Sequence, residues 1–411
     1  MIKAAVLGFG VVGSGTAEIL VKDRELLERS AGCGVELKYI VDIREFPDSP
    51  FADRIVHDFS VVEQDPEVNV VIEVIGGAKV AYDFTKRALL AGKHVVTSNK
   101  ELVATHGQEL LTIARERNLN YLFEASVGGG IPVIRPLNQC LVANRIEEIS
   151  GILNGTTNYI LTQMIEEGKS FETALADAQK NGYAEQNPAA DIEGVDACRK
   201  IAILASLACG KRVDPQKVHT EGITHVTLND VALAGRMEKV IKLLGRFRQC
   251  EDGRMEVLVA PYLIPVNHQL AHISGVFNGV YVTGSNVGDV MMYGQGAGKL
   301  ATASAVVADV VDIAHHLEKR RAIYWEDSDS SFVKPQEECL ARYYVRVSGE
   351  EEAVRKAVEQ VLGQVEMVSS PACPGELALL TSEDTEKNLN ALVEKLGTLQ
   401  VAVLSVMRVL Y

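Results

Sequence analysis

Along the first 130 residues, short apolar runs alternate with longer stretches in which apolar positions recur every three or four residues. Ala4–Leu7, Leu37–Val41, Val70–Val74, His94–Thr97 and Tyr121–Glu124 read as strands. Gly13–Arg29, Val80–Ala91 and Gly107–Asn118 carry helical periodicity, with a turn near Ser60–Asp65. Apolar strands separated by amphipathic helices predict an α/β unit with a parallel sheet covered on both faces. In such a sheet, ligands bind outside the carboxyl ends of the strands.

Gly128-Gly129-Gly130-Ile131-Pro132 breaks this alternation and marks a boundary. Beyond it the pattern mixes a strand at Ile146–Gly151, helices at Tyr159–Glu167, Phe171–Asn181 and Gly194–Gly210, and strands near Met255–Leu263 and Gly279–Gly284. An α+β second domain is expected over 131–299, with the helix Ala301–Leu317 returning to the first domain, 1–130. An acidic, serine-bearing linker covers 321–337. The last stretch, 338–411, reads strand Arg342–Val347, helix Glu351–Leu362, strands Gln364–Val368 and Glu376–Thr381, helix Thr385–Leu396 and strand Val401–Val409. That βαββαβ order is the ferredoxin-like pattern.

Composition narrows the class without changing the fold. The 411 residues are 47% hydrophobic and 23% charged, ordinary globular usage and enough for a sizeable core. A net charge of −14 argues against nucleic acid or an anionic membrane as partner. The seven cysteines are scattered, with no Cys-x-x-Cys, which fits reduced thiols and a cytoplasmic setting. No apolar run approaches the roughly 18 residues that a membrane span requires.

The first strand runs straight into Gly8-Phe9-Gly10-Val11-Val12-Gly13, a Gly-x-Gly-x-x-Gly at a strand-to-helix turn. Glycine is needed there for the tight turn, for approach of backbone to a pyrophosphate, and for helix–strand packing. The helix N-terminus then holds the phosphates. Asp42, ending the second strand, can bond a ribose 2′-hydroxyl and favours NAD over NADP, whereas Arg44 could meet a 2′-phosphate.

Two lysine-bearing clusters carry candidate chemistry. Thr97-Ser98-Asn99-Lys100 follows a strand, which puts Lys100 at the carboxyl edge of the sheet, either near a nicotinamide or simply on a surface loop. In Gly182–Lys200, Asn187-Pro188 starts a turn and Asp191 is a candidate N-cap for the next helix. On that helix Asp196 and Lys200, four apart, can pair. A lysine beside a carboxylate in a closed cleft can exchange a proton with an alcohol or carbonyl, although the same spacing also makes ordinary surface ion pairs. Gly151–Leu161 places Gly155-Thr156-Thr157 at a helix start, suited to a small carboxylate or to a plain N-terminal turn.

Six ordered segments together resemble one family. They are the glycine turn, Ser98-Asn99-Lys100-Glu101, Glu124–Pro132, Gly151–Leu161, Gly182–Lys200 and Tyr293-Gly294-Gln295-Gly296-Ala297-Gly298. Over 1–320 the chain resembles the homoserine dehydrogenases, oxidoreductases of threonine and methionine biosynthesis. The resemblance implies reversible reduction of L-aspartate 4-semialdehyde to L-homoserine by NAD or NADP. It implies Lys100 and Lys200 as catalytic lysines converging beside the nicotinamide, with Asp196 orienting substrate or Lys200. Glu185 would hold the substrate ammonium, supported by Asp191, and Tyr183, Gly155 and Thr156 would line the pocket. Gly8–Gly13, Asp42, Arg44, Ser98 and Gly296 would bind cofactor. A monovalent cation such as sodium would sit on main-chain oxygens of Glu124, Val127, Gly129 and Ile131, and the assembly would be a homodimer.

Departures from the family pattern are Asn187-Pro188, where Asp-Pro is usual, and Ala301, where proline is frequent; neither touches a lysine. The C-terminal segment is similar to an ACT domain in element order. Its Val347-Ser348-Gly349-Glu350-Glu351 lacks the usual Asp-x-Pro-Gly turn, which argues against feedback inhibition by threonine and for a role in dimerisation. Two other readings stand beside this one. An aspartate dehydrogenase-like enzyme of the same fold leaves Gly182–Lys200 unaccounted for. A non-catalytic amino-acid sensor is at odds with intact Lys100, Asp196 and Lys200.

Overall fold

The computed structural model describes Met1–Tyr411 as two compact units. The first comprises 1–146, 202–215 and 284–330, and the second 147–201, 216–283 and 331–411.

The first unit is built on a six-stranded parallel sheet. Its strands are β1 (Ile2–Leu7), β2 (Val35–Val41), β3 (Ile55–Val56), β4 (Val68–Glu73), β5 (His94–Thr97) and β6 (Tyr121–Leu122), in spatial order β3-β2-β1-β4-β5-β6. The reversal at β1/β4 places the switch point of a doubly wound sheet beside the glycine turn. The strands are largely apolar because both faces are covered: Val6, Ile72 and Val96 are fully buried. Val306, Val310 and Ile313 of the helix Lys299–His315 join the same core, so the late helix returns to the first sheet as the pattern suggested. Gly15 permits that packing, since a Cβ there would lie 2.9 Å from the Lys299 side chain.

Three expectations shift here. The helix expected over Gly13–Arg29 is two helices, Val11–Lys22 and Arg24–Ala31, parted at Asp23. Leu20 and Leu27 are both buried, and the polar Lys22-Asp23-Arg24 between them lets the axis turn. The helix expected from Gly107 starts at Lys100, because the Asn99 side chain accepts the Leu102 N–H at 3.0 Å and caps it. Lys100 is therefore the first residue of a helix rather than part of a loop. The last strand stops at Leu122, because the Glu124 N–H is taken by the Asp309 carboxylate at 2.9 Å instead of a ladder partner.

The second unit carries a long mixed sheet. Its strands run in the order Phe277–Gly284, Ile146–Ile152, Lys239–Gln249, Met255–Pro265, Ala402–Val409, Leu340–Ser348, Glu376–Leu380 and Met367–Ser369. The last four, with helices Glu351–Leu362 and Glu386–Thr398, reproduce the expected βαββαβ order. Tyr262 pairs with Arg408 and Leu263 with Val409, so this four-stranded piece continues the sheet of residues 146–284.

Lys239–Gln249 escaped the pattern because charges interrupt its apolar rhythm. Each is compensated: Lys242 donates to the Ile273 carbonyl at 2.7 Å, Arg246 pairs with Glu148 at 2.8 Å and Arg248 with Glu256 at 2.7 Å. Pairing and hydrogen bonding make burial of such groups tolerable, and burial still pushes the Lys242 ammonium down to about 8. Arg346 is likewise buried between Asp230 at 2.8 Å and Glu376 at 2.7 Å. All seven cysteines are free, and no helix is long and apolar enough to cross a membrane.

Candidate active site

At the carboxyl edge of the first sheet the glycine turn has the shape its sequence implied. Gly8 lies at φ +93°, and a Cβ on Gly13 would stand 1.9 Å from the Gly8 carbonyl, so neither tolerates a side chain. Around Gly10, by contrast, a Cβ would meet no atom within 4 Å, and Gly10 caps the helix Val11–Lys22. Open space before a helix N-terminus is the surrounding a pyrophosphate needs. These residues fit a dinucleotide.

Asp42, just past the end of β2, lies beside the glycine turn. Its carboxylate accepts the Phe9 N–H at 2.7 Å and is gripped by Arg44 through Nε at 3.0 Å and Nη2 at 2.9 Å. The Arg44 guanidinium, helped by the N–H groups of Phe9 and Arg44, holds this carboxyl well below the usual carboxylate range against the effect of its burial. The Arg44 side chain is itself over half exposed and lies 5.0 Å over the Phe46 ring.

Lys100 and Ser98 lie on the segment after β5, braced from below. Glu73, the last residue of β4, is fully buried. It accepts the Thr97 hydroxyl at 2.6 Å and the Ile75 N–H at 2.6 Å, and burial pushes its carboxyl up to about 7. Thr97 Oγ1 accepts the Asn99 N–H at 2.9 Å, and Asn99 donates to the carbonyls of Ile75 and Gly77 at 3.0 and 2.8 Å. Sequence reasoning missed Glu73. The signal was a lone carboxylate ending an otherwise apolar strand just before Gly76-Gly77.

In the same unit the segments Glu124–Pro132 and Tyr293–Gly298 meet. The Gly130 N–H donates to the Gln295 carbonyl at 3.2 Å, and a Cβ on Gly129, at φ +58°, would lie 2.3 Å from the Gly296 oxygen. Val127 and Ile131 are buried. The Glu124 carboxylate is committed to the N–H groups of Val133, Ile134 and Arg135 at 2.6 to 2.8 Å, so Glu124 would serve a cation through its main-chain oxygen. A buried glycine turn fits a small monovalent ion on backbone carbonyls.

The second cluster belongs to the second unit and centres on Lys200. Its ammonium donates to Asp196 Oδ2 at 2.8 Å and to the Leu153 carbonyl at 2.7 Å; both side chains are less than a tenth exposed. The helix Val195–Cys209 makes the pair, four residues apart on one face. Asn154 ties the neighbours together: its Nδ2 donates to Asp196 at 3.0 Å and to Asp191 at 2.7 Å, while its Oδ1 caps the helix Gly155–Glu167 by accepting the Thr157 N–H. Thr156 Oγ1 is 2.9 Å from Asp191 and 2.7 Å from the Tyr183 carbonyl. Asn154 was missed too, although an asparagine just before Gly-Thr-Thr is a familiar cap.

Asp191 differs from its expectation. It lies inside the short helix Ala189–Ile192 and caps nothing in the next one, because its carboxylate is engaged by Asn154 and Thr156. Gly155 packs so tightly that a Cβ would come within 2.7 Å of the Val276 carbonyl. Tyr183 is half exposed, with its ring 5.0 Å from that of Tyr159, and Glu185 is exposed outside the hydrogen-bonded cluster. A buried, pre-paired lysine bordered by carboxylates can hold and return a proton at a hydroxyl or carbonyl oxygen while a nearby ammonium is neutralised.

Comparison with known proteins agrees with these parts. Residues 8–124 match the family described as "Homoserine dehydrogenase, NAD binding domain", and 132–311 match "Homoserine dehydrogenase". The homoserine dehydrogenase of Pseudomonas aeruginosa is 42% identical over 358 residues, covering 85% of this chain and 82% of that protein. A crystal structure of a homoserine dehydrogenase from Thiobacillus denitrificans superposes with a TM-score of 0.91 at 36% identity, covering 100% of this chain and 98% of that one. A hyperthermophilic archaeal homoserine dehydrogenase in complex with NADPH gives 0.64 at 26% identity over 76% of this chain and 97% of that one. The chain belongs to the homoserine dehydrogenase family and is an enzyme of that kind, an oxidoreductase with a nicotinamide-dinucleotide-binding domain.

Proposed function

We propose that Lys200 delivers and withdraws the proton at the substrate's terminal oxygen as L-aspartate 4-semialdehyde and L-homoserine interconvert, with Lys100 sharing the role. The observation that carries this is the buried Asn154–Asp196–Lys200 chain, which fixes the ammonium with two of its donors already directed. Asp196 keeps the Lys200 ammonium aimed. Asp191, held by Asn154 and Thr156, offers negative charge to the substrate ammonium, and Glu185 adds to it from the exposed loop after Tyr183. Gly155 and Thr156 shape the floor of this pocket.

When bound, the nicotinamide supplies or accepts the hydride. Gly8, Phe9, Gly10, Val11, Val12 and Gly13 would hold its pyrophosphate, with Ser98 and Gly296 on the nicotinamide side. Asp42, kept ionised by Arg44, favours a ribose 2′-hydroxyl and hence NAD. Sodium on the main-chain oxygens of Glu124, Val127, Gly129 and Ile131 would be structural. The enzyme works as a homodimer in threonine and methionine biosynthesis, and its ACT-like segment contributes to assembly without sensing threonine.

One assay tests this. Homoserine with NAD, and separately with NADP, at alkaline pH should raise absorbance at 340 nm, faster with NAD, and added threonine should leave the rate unchanged. A folded protein silent with both cofactors would end the reading. Lys200→Ala should lower kcat by about 10²-fold or more. A near-normal rate would transfer the proton to Lys100.

A further inference from the structure

Glu73 stands out because nothing above assigns it a task, yet it is a carboxylate 0% exposed in the middle of the cofactor-binding edge. Its two oxygens are directed to different loops: Oε1 to the Ile75 N–H and Oε2 to the Thr97 hydroxyl, both at 2.6 Å. The first loop, Ile75-Gly76-Gly77, follows β4 and the second, Ser98-Asn99, follows β5. The two are also stitched directly by Asn99, which donates to Ile75 and Gly77 carbonyls. Ile75 reaches further. Its side chain is the nearest neighbour a Cβ on Gly8 would meet, at 3.1 Å, so the same loop packs beneath the glycine turn. Glu73 thus lies at the root of three loops: 8–10, 75–77 and 97–100.

We infer that Glu73 is a positioning residue, the post that fixes the start of the Lys100 helix relative to the cofactor-cradling turn. It touches neither substrate nor cofactor, and it acts through Thr97 and Asn99. The chain of bonds is specific in direction. Thr97 donates its single hydroxyl proton to Glu73, which leaves its oxygen lone pairs for the Asn99 N–H. An acceptor at Glu73 therefore sets the Thr97 rotor, and the rotor holds the cap of the helix that begins at Lys100. A simple structural role would be met by any side chain that fills the space. A positioning role requires an acceptor there. This inference rests on the reading of Lys100 and the glycine turn as parts of the cofactor site.

The test compares Glu73→Leu, which fills the space without accepting, with Glu73→Gln, which keeps an acceptor and the length. Thr97→Val, a smaller change, cuts the same link and guards against a Leu variant that does not fold. Glu73→Leu and Thr97→Val should each lower kcat about ten-fold or more, with KM for homoserine within two-fold of wild type. Both should weaken NADH binding, followed by its fluorescence, at least five-fold. Glu73→Gln, with one accepting oxygen for the two donors, should recover part of both losses. Wild-type kcat and NADH affinity in Thr97→Val, or losses in Glu73→Gln as large as in Glu73→Leu, would overturn the inference. The fluorescence titration reads the loops independently of turnover. Failure of this idea is thereby separated from failure of the homoserine assay on the unmodified enzyme.

Discussion

At the scale of single residues, the candidate site is built from side chains whose own partners are fixed. Lys200 is the clearest case, and Asn154 is the residue on which its surroundings depend. One amide group caps a helix with its oxygen and bridges Asp191 to Asp196 with its nitrogen. Asn154→Ala should cost about 1 kcal/mol in unfolding free energy through the lost cap. It should also lower kcat on the order of ten-fold as the two carboxylates separate. Asn154→Asp keeps the cap oxygen but sets a third negative charge beside the other two. If that variant matches wild type in turnover, the bridge is dispensable. The place of Lys100 just after a strand and the pairing of Asp196 with Lys200 were legible from the sequence, because a strand end and a spacing of four are short-range signals. Asn154 and Glu73 were not, because their partners lie 24 to 42 residues away and only the folded chain brings them within reach.

At the scale of elements, β5 carries a pH-sensitive component. His94 is buried on it, accepts the Asn120 N–H at 2.9 Å, and is pushed by burial down to about 4. The unfolded chain, with its histidine near 6.5, therefore binds a proton between pH 6.5 and 4 that the folded chain does not. The contribution of this group falls as pH drops through that window, by up to about 3 kcal/mol, whereas Glu73, pushed up to about 7, acts in the opposite sense between pH 7 and 4.5. Urea unfolding at pH 7, 5.5 and 4 should show wild type losing stability relative to His94→Gln as pH falls, since the variant keeps the carboxyl contributions and lacks the histidine. An equal slope in the variant would assign the loss to other groups. The alternation of strands and helices in the first 130 residues was readable because parallel strands covered on both faces are largely apolar. The strand Lys239–Gln249 was not, since Lys242, Arg246 and Arg248 hide it, and their partners, among them Glu148 and the Ile273 carbonyl, are distant in sequence.

For the whole molecule, the order of elements in the first 130 and the last 70 or so residues could be read from the chain, but the pairing of its last segment could not. Nothing in Val401–Val409 indicates that its end will lie beside Met255–Pro265 rather than at a free margin, because that pairing joins residues almost 150 apart. The core beneath it includes Tyr262 and Leu410, and Asp230 depends on Arg346 for its charge partner. A chain ending at Pro335 would strip these contacts. It would leave Asp230 buried without its cation, a defect of about 3–5 kcal/mol. Light scattering should then find large, heterogeneous particles where the full-length enzyme is monodisperse. A well-behaved, active truncation would show instead that the final segment is an ornament.

The seam at Tyr262 and Leu263 has one more effect. A strand border that finds its mate only after residue 402 has been made stays open at Tyr262 and Leu263 until synthesis is almost finished, although the strand itself is complete at residue 265. The nascent protein therefore passes through a stage at which it is adhesive by construction, and its yield in a cell should depend on how promptly the last few dozen residues arrive.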